Sequence, residues 1–215
     1  MRIGTLLEMV RLSFPSVYDL VMVPADWAGL RRQRRAIVAG ADGRVLEVAA
    51  GTGLNLRHYR RASSVTAIDL SRDMINKLAA RTPTGGFSAF TATAAAEALP
   101  FADDRFDTVV LTLSLCTIPD AALAVNEIKR VLKPDGSFRF LEHTLHRRRW
   151  IRALQRSFTP GWRKIAGGCH LDRPTVETIE QAGFELTWSR RSGLGWLTLG
   201  VATAVSSTAE PSPGS

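Results

Sequence analysis

The residues best suited to chemistry surround a glycine turn. Gly51-Thr52-Gly53 ends an apolar run over residues 45–50 that only Glu47 interrupts. Because glycine has no Cβ, the backbone can turn tightly there and a ligand can approach the main chain closely. We expect a helix to start within residues 54–61, with free N–H groups that can meet an anionic group. A strand, a glycine turn and a helix in this order indicate a nucleotide-type pocket.

A carboxylate follows at the end of the next predicted strand. Residues 64–70 read Ser-Val-Thr-Ala-Ile-Asp-Leu, which predicts a strand ending near Asp69. A carboxylate at this place can accept hydrogen bonds from both ribose hydroxyls of an adenosine, since it offers two oxygens in one plane. Ser71 is a good N-cap for the next helix. Met74, one turn later, either covers an adenine face or packs in the core.

Two histidines are candidate bases. His143 follows the fifth predicted strand, and His170 lies in a Gly-Gly-Cys-His-Leu stretch. Imidazole has the pKa range of a general base, although each ring can equally bond a loop carbonyl. His143, His146, Cys169 and His170 together could bind zinc. Their spacing matches no tight metal motif, and we predict no metal.

Cys116 follows the fourth predicted strand. We interpret it as a wall of the pocket. A covalent role is not expected, because the sequence identifies no basic partner for this thiol.

The spacing of the glycines separates two kinds of cofactor. A dinucleotide fingerprint requires a third glycine three residues after the second of its pair, and this position holds Leu56. The pattern Glu47-x-x-x-Gly51-x-Gly53 instead resembles the first motif of the class I S-adenosylmethionine (SAM) methyltransferases, whose glycine loop lies under the methionine part of the cofactor.

The later motifs extend this resemblance over about residues 44–143. Ser-Val-Thr-Ala-Ile-Asp-Leu-Ser-x-x-Met and Ala-Glu-Ala-Leu-Pro-Phe follow in order. The chain resembles the methyltransferase type 11 group, which includes quinone, sterol and phospholipid methyltransferases. Glu142-His143 and Gly-Gly-Cys-His-Leu also resemble a subgroup containing membrane-associated thiol methyltransferases. The resemblance implies SAM as cofactor and a thiol, phenol, quinol or lipid-like acceptor. The cofactor-binding residues that it implies are Glu47, Ala49, Gly51, Gly53, Asn55, Asp69, Leu70, Met74, Ala95, Ala96 and Leu113.

One position departs from the family pattern. The third strand of these enzymes is usually followed by an Asp that bonds the adenine amino group, and here the residue is Ala95. Loss of one hydrogen bond typically costs about 0.5–1.5 kcal/mol. An alternative function is therefore a catalytically silent SAM-binding protein.

A nucleic-acid methyltransferase is a third hypothesis. It is suggested by the net charge of +8 and the pI near 10.4. The arginines form several scattered clusters, however, and Leu-Ser-Leu-Cys stands where amine-methylating nucleic-acid enzymes carry Asn/Asp-Pro-Pro-Tyr. Nucleic acid is not an expected partner.

The order of the elements predicts how these residues are positioned. Strands alternate with helices through residue 142, which favours right-handed βαβ units and a parallel sheet. Residues 106–115 predict a central buried strand, Asp120 caps the next helix, residues 133–136 form a turn, and residues 137–142 form the fifth strand. Residues 175–183 predict a helix, and residues 184–190 and 196–204 a closing antiparallel hairpin. The fold class is therefore α/β, a Rossmann-like seven-stranded, mostly parallel sheet with helices on both faces.

We divide the chain into residues 1–40, 41–205 and 206–215. The first part predicts an amphipathic helix that ends at Pro15 and Ser16, then a helix over about residues 24–38. These helices form a lid, make a peripheral membrane contact or pack on the core. The second part is the SAM-dependent methyltransferase domain, and the third, rich in Ser, Pro and Gly, predicts a disordered tail. Without a recognisable secretory signal, a spanning segment or a disulfide framework, we expect a cytoplasmic protein of undetermined oligomeric state.

Overall fold

The computed structural model describes residues 14–81 and 86–205. The predicted amphipathic helix ahead of Pro15 and the predicted tail over residues 206–215 lie outside this range. The helices are α1 (Phe14–Ala25), α2 (Arg31–Val38), α3 (Arg72–Ala79), α4 (Ala121–Val131), α5 (Arg149–Ile165) and α6 (Thr175–Gln181). The strands are β1 (Asp42–Val48), β2 (Arg61–Asp69), β3 (Ser88–Thr93), β4 (Phe106–Thr112), β5 (Leu132–His143), β6 (Phe184–Ser192) and β7 (Leu197–Ala204).

All seven strands form one sheet in the order β3-β2-β1-β4-β5-β7-β6. The first five pair in parallel, whereas β7 runs antiparallel to both β5 and β6. The predicted fold class and the closing hairpin are thus confirmed. β4 lies at the centre because its apolar, β-branched residues suit a strand covered on both faces.

Alternate residues of β1 enter two different cores. Leu46 of β1 packs in the cluster that contains Ile128 of α4. Its neighbour Val45 packs with Val38 of α2 on the opposite face. Successive strand side chains point to opposite faces, so helices cover both sides of the sheet. The carboxyl ends of the parallel strands consequently meet at one edge, which is where ligands bind in such sheets.

The N-terminal part and the first crossover differ from the prediction. A helix begins at Phe14 and runs to Ala25, whereas the sequence predicted a break at Pro15 and a new helix only near residue 24. Proline is tolerated in a first turn because the N–H groups there lack helical partners anyway. A π-helical turn over Asp26–Leu30, with Gly29 at φ 112°, separates α1 from α2.

The helix expected within residues 54–61 is reduced to one 3-10 turn, Leu56–His58. It cannot extend because β2 already begins at Arg61. β4 ends at Thr112, three residues earlier than predicted. The predicted turn at residues 133–136 is an irregularity inside β5, where the register with β4 shifts between Phe106 and Thr108. Among the described helices, none has the length and apolar character needed to cross a bilayer.

Candidate functional site

The loop after β1 combines open space with a strained backbone. Ala49, Gly51 and Gly53 have φ values of 51°, 57° and 82°. A Cβ added to Gly51 would meet no atom within 4 Å, whereas one added to Gly53 would lie 3.0 Å from Cγ of Leu78. Gly51 therefore faces space that a ligand can enter, and Gly53 allows α3 to pack closely.

Asp69 binds the same loop. Its Oδ2 accepts a hydrogen bond from the N–H of Gly51 at 2.9 Å, and its Oδ1 accepts one from the N–H of Ser71 at 2.8 Å. The N–H of Gly53 donates to the carbonyl oxygen of Ala50. The N–H groups of Gly51 and Gly53 thus bind internal acceptors.

Glu47 lies beneath the loop in a buried network. Its Oε1 accepts a hydrogen bond from Nδ2 of Asn55, and its Oε2 accepts one from the Tyr59 hydroxyl, both at 2.8 Å. Burial raises the pKa of Glu47 to about 7, although these two donors act in the opposite direction. Glu47 therefore holds the turn together from below.

Arg34 reaches this network from α2. Its Nη1 donates to Oγ1 of Thr112 at 3.0 Å and to Oδ1 of Asn55 at 3.4 Å, and its Nε lies 3.6 Å from Oδ1 of Asp26. Only 3% of Arg34 is exposed, and within the described chain its Nε and Nη2 have no hydrogen-bond partner. Arg34 is thus buried, whereas the other arginines of the run over residues 31–35 are exposed.

α1 lies against the glycine loop through Asp19. The Thr52 hydroxyl donates to its Oδ1 at 2.6 Å, and Lys77 and Arg81 each approach its Oδ2 to 2.6 Å. Burial alone would raise the pKa of Asp19, but the hydrogen bonds from Lys77, Thr52 and Arg81 outweigh it and the pKa is lowered. Sequence reasoning missed Asp19, because no local pattern links it to a loop 33 residues away.

The remaining predicted cofactor residues lie in loops or first turns after the same strands. Leu70 follows β2 and is 72% exposed, whereas Met74 in α3 is buried. Ala95 and Ala96 follow β3. The end of β3 is joined to the end of β2 by a hydrogen bond from the N–H of Ala94 to the carbonyl oxygen of Asp69. Leu113 follows β4 with φ 55°.

Glu142 organises the other side of the Leu113 turn. Its Oε1 accepts hydrogen bonds from the N–H groups of Ser114 at 2.7 Å and Leu115 at 3.1 Å. The side chain is fully buried, and burial raises its pKa to about 7. The chain that leaves β4 toward Cys116 is thereby tied to the end of β5.

Two thiols and one imidazole meet at this place. Sγ of Cys169 lies 3.2 Å from Sγ of Cys116 and 3.5 Å from Nδ1 of His143. Hydrogen bonding from Cys116, with a smaller contribution from His143, lowers the pKa of Cys169 to about 4. Burial alone would lower the pKa of His143, but its hydrogen bond with Cys169 raises it. The partner that the sequence did not reveal for Cys116 is thus another thiol, brought from 53 residues away.

The structure does not bring His146 and His170, the other two histidines considered for zinc, into this cluster. Nδ1 of His170 lies 3.9 Å from Oδ1 of Asp172, and the N–H of His170 donates to the carbonyl oxygen of Cys116. Nδ1 of His146 accepts from the N–H of Arg148. Of the four residues considered for zinc, only His143 and Cys169 come together, and Cys116 joins them.

A separate cavity of about 290 Å³ lies beside the C-terminal hairpin. Its lining contains neither the glycine loop nor the thiols. We therefore assign the site from the loop geometry and the convergent polar groups. The residues lining this separate cavity are Arg147, Val176, Leu186, Ser189, Arg191 and Thr198.

Comparison with known proteins gives consistent results. A family model described as a methyltransferase domain matches residues 46–140. The chain is 32% identical over 171 residues to thiol S-methyltransferase TMT1B of Homo sapiens, covering 76% of this chain and 70% of the relative. It is 31% identical over 162 residues to phosphatidylethanolamine N-methyltransferase of Cereibacter sphaeroides, covering 70% and 78%.

The fold is similar to that of a chain in the complex between the Haloferax volcanii Trm112 methyltransferase activator and a methyltransferase. The TM-score is 0.70 at 17% identity, covering 91% of this chain and 99% of the other. A SAM-dependent methyltransferase from Mesorhizobium loti gives a TM-score of 0.62 at 19% identity, covering 80% and 96%. At these low sequence identities, the comparison shows similarity of the fold alone.

Proposed function

The chain belongs to the class I SAM-dependent methyltransferases and methylates a small-molecule acceptor, and we propose that this acceptor is a thiol. The observation that carries the proposal is the likeness to thiol S-methyltransferase TMT1B. That alignment spans 171 residues and therefore extends well beyond the segment 46–140 matched by the family model. The alternative of a catalytically silent SAM-binding protein finds no support among these relatives.

We assign the cofactor to the loops after β1, β2, β3 and β4. The sulfonium and methionine part would lie over Gly51, where a Cβ would meet no neighbouring atom. Asp69 would accept hydrogen bonds from the ribose, since each carboxylate oxygen has a second lone pair beside the N–H that it already binds. Adenine would lie between Leu70 and the segment from Ala95 to Ala96. Glu47 and Asn55 would hold the loop in shape, and Ala49, Gly53, Met74 and Leu113 would complete the surface.

Arg34 is the residue that we add to this set. Nη2 of this buried guanidinium has no hydrogen-bond partner among the described residues, whereas Nε lies 3.6 Å from Asp26. A buried N–H without an acceptor is costly, and a carboxylate offsets that cost best. The methionine part of SAM carries a carboxylate, and Arg34 bonds Asn55 of the glycine loop. We therefore assign the SAM carboxylate to Nη2 of Arg34.

Methyl transfer to a thiol needs little covalent help from the protein. The thiol loses its proton, and its sulfur forms a bond to the methyl carbon. The bond from that carbon to the sulfonium breaks, and its electron pair stays on the departing sulfur. The products are a methyl thioether and S-adenosylhomocysteine. The protein holds the three atoms in line and assists the loss of the proton. We place His143 on the acceptor side in this assisting role, whereas a role of His170 as base stays a prediction.

The relative that methylates phosphatidylethanolamine makes an amine the second candidate acceptor. Purified protein would be incubated with SAM and, in parallel, with an aliphatic thiol, thiophenol, phenol or phosphatidylethanolamine vesicles. Mass spectrometry would follow methylated product and S-adenosylhomocysteine together. We expect methyl thioethers from the two thiols. Methylation of phosphatidylethanolamine alone would contradict the thiol proposal, and SAM binding without product from any acceptor would revive the silent alternative.

A further inference from the structure

We propose that Cys116, His143 and Cys169 form a binding site for a thiophilic divalent cation, with Zn²⁺ as the expected ion. The three donor atoms all lie within 4.8 Å of one another. They come from three separate segments: the loop after β4, the end of β5 and the segment between α5 and α6. This goes beyond the proposed function, although the role given below to the open metal position rests on it.

The distances suit a tetrahedral ion. Zn–S bonds of about 2.3 Å and Zn–N bonds of about 2.0–2.1 Å imply about 3.8 Å between two sulfurs and about 3.6 Å between sulfur and nitrogen. The separation of Sγ of Cys169 and Nδ1 of His143 is 3.5 Å, and that of the two sulfurs is 3.2 Å. The third separation, between Sγ of Cys116 and the imidazole, is at most 4.8 Å, so rotation of the Cys116 side chain would have to close the site around an ion. A disulfide bond would bring the two sulfurs to about 2.0 Å, but it would give no role to the imidazole that converges on them.

The charge balance favours a dication. Cys116 is 1% exposed and Cys169 is 5% exposed, so two thiolates there would be costly alone. Two thiolates and a neutral imidazole cancel the charge of Zn²⁺, and the protons of the thiols leave to solvent as the ion binds. Soft thiolates with imidazole favour Zn²⁺ over the hard ions Mg²⁺ and Ca²⁺.

Three protein ligands leave one position open. Three ligands and an open position are typical of catalytic zinc sites, whereas structural sites are closed by four. A thiol acceptor would bind in the open position as a thiolate, releasing its proton, and this sulfur would then attack the methyl group. In this arrangement His143 assists deprotonation as a metal ligand, acting through the ion.

The test begins with fully reduced, metal-free protein whose two cysteines titrate as free thiols. Co²⁺ is added without SAM or acceptor, and thiolate-to-cobalt absorption is followed before displacement by Zn²⁺. We expect one ion per chain. Cys116→Ser, Cys169→Ser and His143→Gln should each weaken binding by more than the roughly 10- to 100-fold typical of a supporting residue. His170→Gln is the matched control, since His170 adjoins Cys169 in sequence but lies outside the cluster, and it should bind as the parent does.

Several outcomes would overturn the site: absence of thiolate-to-cobalt absorption in the reduced protein, unchanged binding in the three variants, or equal loss in the His170 control. The reduced protein could also bind neither ion and form a Cys116–Cys169 disulfide when treated with peroxide. This result would show that the two cysteines are a redox pair and not metal ligands. Because cobalt binding needs no acceptor, the site can stand where thiol methylation fails. Equal thiol methylation by metal-free and zinc-loaded protein would remove the role of the open position.

A second inference concerns the surface of α5. Trp150, Leu154, Phe158 and Trp162 recur at intervals of four residues, which places them along one side of the helix. They are 64%, 43%, 60% and 40% exposed. The helix packs on the body through Gln155, which bonds the carbonyl oxygens of Thr144 and Leu171, and at its end through Trp162, which hydrogen-bonds Cys169. A continuous stripe of exposed large apolar side chains indicates an interaction site.

We infer that this stripe binds the surface of an anionic lipid bilayer. The helix and its N-cap contain six cationic residues and no acidic one. Basic charge beside exposed tryptophans is the pattern of helices that lie in the interfacial plane of a membrane. The net charge of +8 acts in the same direction. The cationic residues are Arg148, Arg149, Arg152, Arg156, Arg163 and Lys164.

Vesicle co-sedimentation of the full chain tests this surface. We expect binding to vesicles containing phosphatidylglycerol and much weaker binding to phosphatidylcholine alone. Substituting Trp150 and Phe158 by Ser should weaken partitioning into the vesicles by about 100-fold or more, since both large apolar side chains would be buried in the bilayer. Trp27→Ser, at an 83% exposed tryptophan of the π-helical turn, is the matched control and should bind normally.

Three results would contradict the lipid surface. The first is a parent protein that does not sediment with anionic vesicles. The second is an α5 variant that binds as the parent does. The third is loss of binding only when Leu6 and Leu7 are replaced by Ser, which would assign the membrane contact to the N-terminal segment.

Discussion

The carboxylate of Asp69 binds the N–H of Gly51 at 2.9 Å, joining the end of β2 to the loop after β1. The residue proposed to bind the ribose therefore also fixes the turn proposed to lie under the methionine part. Asp69 and Gly51 form one unit, so a change at either should affect both halves of the cofactor site.

Asp69→Ala should weaken SAM binding by about 10- to 100-fold, because charged hydrogen bonds typically contribute about 1.5–3 kcal/mol. Isothermal titration measures this loss. Asp69→Asn keeps one carbonyl oxygen and should lose less. Asp73→Ala, at an exposed residue of α3, is the control. An unchanged SAM affinity in Asp69→Ala would remove Asp69 from the cofactor site.

Arg34→Met should reduce SAM affinity by a similar factor of about 10 to 100, since it removes the proposed carboxylate partner. Arg35→Met changes the exposed neighbour in the same arginine run and should bind SAM normally. S-adenosylhomocysteine carries the same carboxylate, so its affinity should fall in parallel. Normal affinity for both ligands in a folded Arg34→Met protein would contradict the assignment.

Asp19→Ala should release α1 from the glycine loop, because Asp19 is the shared partner of Thr52, Lys77 and Arg81. Hydrogen exchange of residues 14–25 should accelerate by about tenfold or more. SAM should also dissociate faster in stopped-flow experiments if α1 covers the cofactor. Faster exchange with unchanged SAM dissociation would show that α1 packs on the loop without acting as a lid.

Glu47 should make stability depend on pH. Its pKa rises on folding from 4.5 to about 7, so between these values the folded protein holds a proton that the unfolded chain has lost. The contribution of Glu47 to stability is therefore greatest below about pH 4.5 and declines as pH rises through 7. Glu47→Gln mimics the protonated form and should flatten this decline by on the order of 2–3 kcal/mol.

Denaturant unfolding from about pH 5 to about pH 8 measures the effect. Glu180→Gln, on an exposed part of α6, should keep the parent slope. Glu142 contributes in the same direction, because burial also raises its pKa to about 7. A residual slope should therefore remain in Glu47→Gln. A parent slope that Glu47→Gln leaves intact would mean that Glu47 does not titrate in this window.

Glu142→Ala should leave the N–H groups of Ser114 and Leu115 buried without an acceptor, at about 1–3 kcal/mol for each group. Because these groups hold the chain that leads to Cys116, we expect lower thiol methylation with SAM affinity little changed. Glu142→Gln keeps the acceptor oxygen and should restore both stability and activity. Failure of Gln to do so would assign the effect to the carboxylate charge.

Local features of the chain were predictable from the sequence. The apolar runs predicted the strands, and Ser71 and Asp120 cap helices as expected, accepting hydrogen bonds from the N–H groups of Met74 and Leu123. The glycine turn after β1 and Asp69 at the end of β2 lie where the sequence predicted them. Each of these depends on residues close in sequence or on the rule that parallel strands share a carboxyl edge.

Helix boundaries near prolines and glycines were less predictable. Pro15 indicates a break by propensity alone, yet it occupies the first turn of α1. The expected helix after Gly53 is only one turn long, because Tyr59 is buried and β2 already begins at Arg61. In both cases packing between distant segments outweighs local preference.

By itself, the sequence determined the order of strands, the position of the glycine turn and the family, because hydrophobic period, glycine spacing and contiguous motifs are local properties. Only the tertiary structure decided that Arg34 is buried beside Thr112, that Asp19 binds the glycine loop, and that Cys116, His143 and Cys169 converge. These contacts join residues between 26 and 78 positions apart. Their existence depends on which strand ends meet and on how the helices cover them, and no local pattern carries that information.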